Sequence, residues 1–114
     1  MFAEVKELLT FIDGDEYDGQ IVEEIKACAL DLTRTTEIVL PGIIDITRTK
    51  VLGVWTITDN STITDEYVIK VIATWCNKEI GNPPNYENLQ RSYNSMKGSM
   101  RLSKFYNGRE EAAG

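Results

Sequence analysis

The side chains best suited to chemistry are few and scattered. Cys28 and Cys76 lie far apart in the chain, and there is no histidine. That pairing of facts removes the usual zinc sites and the His-based catalytic triads together. Both thiols fall on apolar helical faces, where cysteine behaves as a small buried hydrophobe. A disulfide between them is the alternative, although nothing in the composition points to an oxidising compartment. Neither GxGxxG nor GxxxxGK(S/T) occurs, so no glycine-rich loop is available to cradle phosphate. Serines and threonines are plentiful, but none sits in a nucleophile-elbow context. The carboxylates fall on polar faces and turns, where solvation keeps them ionised and unsuited to general acid work. The expectation is a protein with no catalytic, cofactor-binding or metal-binding residues, and hence no enzyme.

One acidic stretch tests that expectation. The run DGDEYDGQIVEE, from Asp13 to Glu24, resembles a calcium-binding EF-hand loop. It fails on register. With Asp13 at position one, Gly19 comes one residue too late for the sharp turn. With Gly19 in place, position one becomes Gly14 and the bidentate glutamate becomes Ile25. The stretch reads instead as a solvated turn feeding a helix, with Asp18 capping its first turn.

The elements that would position these residues are mostly helical. Phe2, Val5, Leu8, Leu9 and Ile12 are spaced as a short amphipathic helix ending near Thr10 or Phe11. Ile21, Val22, Ile25, Cys28, Ala29 and Leu32 line one face of a longer helix, which the rest of the chain must cover. A third helix, opened by a capping box at Thr62–Asp65 and closed at Gly81, carries Val68, Ile69, Ile72, Trp75, Cys76 and Ile80. Its stripe matches that of the second helix, and the two are expected to pack as the centre of the core. A tryptophan such as Trp75 can serve as a ligand platform, but at helical spacing it reads as core. After the rigid stop Asn82-Pro83-Pro84-Asn85, a last helix carries Tyr86, Leu89, Tyr93, Met96 and Met100. Gly98 weakens it by about 1 kcal/mol relative to Ala and is where a bend is expected.

Between the second and third helices the period changes from 3.6 to 2. Pro41-Gly42 signals a turn. Two β-leaning runs follow, Ile43 to Thr47 and Val51 to Thr58, with a break at Arg48, Thr49 and Lys50. A lone two-stranded hairpin is marginally stable. This one must either fold over its own core or serve as an arm for a partner. The residues marked for partner contact are Ile44, Ile46, Val54, Trp55 and Ile57 here, with Arg101, Lys104, Phe105, Tyr106 and Arg109 near the C-terminus. Phe105 and Tyr106 read as exposed aromatics among basic residues.

The chain of 114 residues suggests one domain, and 42% apolar content is enough for a modest core. The fold class expected is mainly α: a small bundle of about four helices with a β-hairpin-like insertion between the second and third. The bundle spans 1–104, with the insertion at 36–60, and a C-terminal tail spans 105–114. No apolar run is long enough to cross a bilayer, and the Met1 end lacks a signal-peptide layout, so a soluble cytoplasmic product is expected, with no membrane partner. The net charge of −6 is unevenly spread. Residues 1–31 hold nine carboxylates against Lys6 and Lys26, whereas Arg91, Lys97, Arg101, Lys104 and Arg109 dominate the end. An acidic chain is a poor non-specific nucleic-acid binder, but its polarity suits copies meeting acidic end to basic end.

Three stretches resemble the head–tail connector (adaptor) family of tailed bacteriophages: ELLTFIDGDEYDGQIVEEIKACALDL, TDEYVIKVIATWCNKEIGNPP and YENLQRSYNSMKGSMRLSKFYNG. Together they cover most of residues 7–108. None is a catalytic signature, and the likeness rests on order and spacing. The resemblance implies a virion protein that docks under the portal protein as a ring of copies, commonly twelve, at the head–tail junction after assembly in the host cytoplasm. It also implies a stopper or tail-completion protein as neighbour. DNA would pass through the ring without specific binding, and an acidic lumen would repel its phosphates. The family's loop and C-terminal contacts would map onto Ile38 to Thr58 and Arg101 to Arg109. The apolar Val51 to Thr58 run departs from the polar loops of the family. The competing readings are a small cytoplasmic protein-binding regulatory module, and a nucleic-acid binder using the basic C-terminal helix.

Overall fold

A computed structural model describes residues 1–9, 14–34 and 38–107 of the chain, without the side chains of Lys104 and Asn107. The first helix ends at Glu7, with Leu8 as its C-cap and Leu9 already outside it, short of the expected end near Thr10 or Phe11. Ile12 of its expected stripe, Asp13, Thr36, Arg109 and the tail beyond 107 lie outside the described residues. The order is α1 (Phe2–Glu7), α2 (Asp18–Arg34), β1 (Ile46–Val51), β2 (Val54–Asp59), α3 (Glu66–Glu79), α4 (Tyr86–Leu102) and α5 (Lys104–Asn107), the last a single turn. The protein is a mainly α-helical small domain with an antiparallel hairpin between its second and third helices, the class its periodicities predict.

The core forms around α3. That helix buries Val68, Ile69, Val71, Ile72, Ala73 and Cys76, more than one stripe wide, because it packs against α1, α2 and α4 at once. The predicted pairing of α2 with α3 is present, through Ile21, Val22, Ile25, Cys28 and Leu32. It is one of three contacts rather than the centre, and α3 occupies that place. Tyr93 and Met100 of α4 close the remaining side. α4 runs unbroken through Gly98, beside which there is open space.

Helix ends correct two expectations. The cap of α3 is Asp65, whose Oδ1 accepts from the N–H groups of Tyr67 (2.8 Å) and Val68 (3.1 Å). Thr62, expected to lead the capping box, instead accepts from the Ile43 N–H at 2.8 Å. Asp18 is the first residue of α2, and its carboxylate is taken by Lys6 Nζ at 2.8 Å. The same ammonium reaches Asp15 at 3.0 Å, so α1 supplies the counter-charge that holds the acidic link.

The hairpin's strands, Ile46–Val51 and Val54–Asp59, are shifted from the predicted runs, and the chain turns elsewhere. Arg48, Thr49 and Lys50 lie within β1, and the turn is Leu52-Gly53, with φ of 52° and 80°. Two consecutive positive φ values match the right-handed twist of the strands, as in a type I′ connection. The apolar Leu52 concealed it, leaving Gly53 as the only punctuation. Beyond the strands the ribbon continues through Asn60 N–H to Asp45 C=O and Thr62 N–H to Ile43 C=O, each 2.8 Å.

Candidate interaction surfaces

Strand pairing sorts the hairpin residues onto two faces. Ile46, Arg48 and Lys50 lie opposite Asp59, Ile57 and Trp55, while Thr47, Thr49 and Val51 lie opposite Thr58, Thr56 and Val54. The first face turns toward α2. Near its base Ile46 is 3% exposed, and Ile57 and Ile44 are half-buried against the core. Ile46 is therefore withdrawn from the partner-contact set: its side chain is spent inside its own domain, worth about 2 kcal/mol of burial.

Asp59 latches the base to α1. Its Oδ2 accepts from the Phe2 N–H at 2.7 Å and lies 2.9 Å from the Met1 α-ammonium, while Oδ1 accepts from Ser61 N–H. Burial pushes this carboxyl up, but those three sets of hydrogen bonds outweigh it and hold it at about 2.

The far end has no such cover. Val51, Val54 and Trp55 are more than half exposed, and Leu52 is 98% exposed. Trp55 lies under two cations, with Arg48 Cζ 4.0 Å and Lys50 Nζ 5.5 Å from its ring centroid. Arg48 in turn lies directly over Gly19, where any side chain would collide with the guanidinium. Glu16 and Glu23 wall the cleft between Trp55 and α2.

The C-terminal candidates separate as well. Tyr106 is docked on its own domain, with its hydroxyl donating to Asp65 Oδ2 at 2.8 Å, its ring stacked at 6.1 Å on Tyr67, and its carbonyl accepting from Val39 N–H. This overturns its reading as an exposed aromatic. Burial, then the Asp65 carboxylate, pushes its phenol pKa upward. Phe105 projects beside it, 64% exposed, and Leu102 is 83% exposed. Arg101 is exposed on the last turn of α4. The Lys104 side chain and Arg109 lie outside the described residues.

The cysteines are free and buried. Cys28 Sγ lies 3.9 Å from the Tyr93 hydroxyl, and burial pushes its pKa up to about 12. A thiol so held is neutral and a poor nucleophile. The Tyr93 hydroxyl donates to Asp31 at 2.5 Å, and Lys97 Nζ reaches the same oxygen at 3.0 Å. Burial raises the Asp31 carboxyl, and these two donors more than reverse it.

Several features escaped the sequence. The tip includes Val51 and Leu52, for which an apolar residue before Gly53 was the available signal. Lys78 is 4% exposed, with Nζ 3.9 Å from the Trp75 ring centroid and 2.7 Å from Glu79. Nothing in the spacing distinguishes it from a surface lysine. A third is a groove between α1 and α3, floored by Ile69 and Ala73, with Leu8 half exposed on its wall. Its rim carries Glu4, Glu7 and Glu66 against Lys70. Among the described residues no carboxylate or thiol cluster is placed to hold a metal, and no helix is long and apolar enough to cross a membrane.

Comparison of the chain with protein-family models, curated proteins and solved structures finds no match to any of them.

Proposed function

We propose that this protein is a structural subunit of a bacteriophage head–tail connector. It acts through surface contacts with copies of itself and with the portal, and performs no reaction. The observation that carries the reading is the apolar, basic hairpin tip, with Val51, Leu52, Val54 and Trp55 all more than half exposed above a latched base. An exposed leucine and tryptophan on a fixed arm fit a protein that docks better than one that works alone. The order of helices and the acidic link that resemble the adaptor family supply the class of partner. The copies form a ring under the portal in the virion, with a stopper or tail-completion protein on the other side. The net charge of −6 suits a lumen through which DNA slides without sticking.

Mixing the purified chain with a portal ring and viewing the product by electron microscopy tests this. A stacked ring-on-ring particle is the expected result. A one-to-one or dimeric complex with some other protein, and no ring on the portal, would favour the regulatory module instead.

A further inference from the structure

The hairpin tip and the α1–α3 groove have opposite characters on one molecule. The tip offers Val51, Leu52, Val54 and Trp55, all exposed, and the hairpin from Ile46 to Thr58 carries Arg48 and Lys50 with no acidic residue. The groove has an apolar floor of Ile69 and Ala73, a half-exposed Leu8, and a rim of three glutamates against one lysine. Glu4 shares its charge with the Met1 α-ammonium at 2.9 Å, which leaves Glu7 and Glu66 as the principal anions. A basic apolar knob thus faces an acidic apolar hole in both charge and hydropathy.

One chain cannot join its own two parts. The groove lies beside the base of the ribbon, since Asp59 binds the first residues of α1. The tip stands roughly 17 Å away, at the far end of strands of six residues. Contact between unlike patches on identical chains is heterologous, and such contacts close into rings or run on as filaments. From this we infer that the hairpin tip of one copy seats in the α1–α3 groove of the next, with Leu52 against the apolar floor and Lys50 against Glu7 and Glu66. The inference rests on the connector reading and supplies the contact between neighbours that the ring requires. The knob alone is smaller than the roughly 800 Å² per partner of a stable interface. Association in the absence of portal is accordingly weak and concentration-dependent.

Two experiments on the full chain test it. Sedimentation equilibrium on Lys50→Glu and on Glu7→Lys should show self-association weakened about tenfold in each, and restored when both changes are in one chain. Single variants that associate like the unaltered protein overturn the inference. Second, chains carrying Leu52→Cys are mixed with chains carrying Leu8→Cys under mild oxidation, both positions being exposed and both native thiols buried. A mixed disulfide dimer on a non-reducing gel is expected. Preferential Leu52→Cys homodimers would mean that tips meet tips, and would overturn it. Rings that form on the portal without the mixed disulfide sink this contact and leave the connector reading intact. A mixed disulfide dimer from chains that never ring on the portal does the reverse.

Discussion

The two tryptophans each lie under a cation and have opposite fates. Trp75 lies under Lys78 at 3.9 Å, and Trp55 under Arg48 at 4.0 Å. Around Trp75 the cation is buried, the Tyr93 ring meets it edge-on at 5.1 Å, and the indole N–H donates to Glu24 at 2.9 Å. Around Trp55 half the ring faces water and the nearest acids wall an open cleft. A cation over an aromatic ring is worth about 0.5–1 kcal/mol in water and about 2 kcal/mol when desolvated. The first tryptophan is therefore spent on stability. The second is left over, and a rigid, unspent aromatic is what a docking surface needs.

The contrast predicts a gradient of effects. Trp75→Ala should cost about 3 kcal/mol in denaturant unfolding, by removing a half-buried ring packed against the core and leaving Lys78 and Glu24 without it. The acid limb comes next. The Asp59 carboxyl is held at about 2 in the folded chain against an ordinary value near 4. The unfolded chain thus binds the proton first as pH falls. The stabilisation, about 2 kcal/mol, is complete above pH 4 and is lost as the pH falls through 2. Asp59→Asn should flatten that limb, as urea midpoints measured from pH 5 to pH 2 would show. A limb of unchanged depth would mean that the latch at the ribbon's base is not what holds the arm.

Smaller effects sharpen the comparison. Lys78→Met keeps the packed stem but removes the charge, and should lower stability by about 1 kcal/mol. Arg48→Met, its surface counterpart, should stay within about 0.5 kcal/mol. Last, Trp55→Ala should leave the melting temperature almost unchanged while weakening contact between copies. Equal destabilisation by Trp55→Ala and Trp75→Ala would erase the distinction between the two sites.

Much of the helical frame was readable because burying a helix face imposes a 3.6-residue spacing on apolar residues. The stripes Ile21–Leu32 and Val68–Ile80 declare themselves this way, and so does the burial of Cys28 and Cys76. Hairpin position was harder. Leu52 is apolar yet takes a turn conformation, so the polar Arg48–Lys50 stretch mimics a break where the chain is in fact extended. The cap of α3 lies three residues beyond Thr62, at Asp65, because both residues suit the role and only their neighbours decide between them. The site residues divide by the same logic. Ile46 and Ile57 obey one alternation with Trp55, but the core packs against the first two, whereas α2 leaves an open cleft beside the third.

Local spacing alone set the helices and the existence of a hairpin, since each depends on residues within one or two turns of each other, and composition set the charge polarity. Which apolar groups stay in water was settled only when distant segments met. Asp59 found α1, Tyr106 found Asp65 and Tyr67, and Lys78 was enclosed by Trp75, Tyr86 and Tyr93. Burial is a property of the whole packed object. No window along the chain contains both a side chain and everything that will cover it.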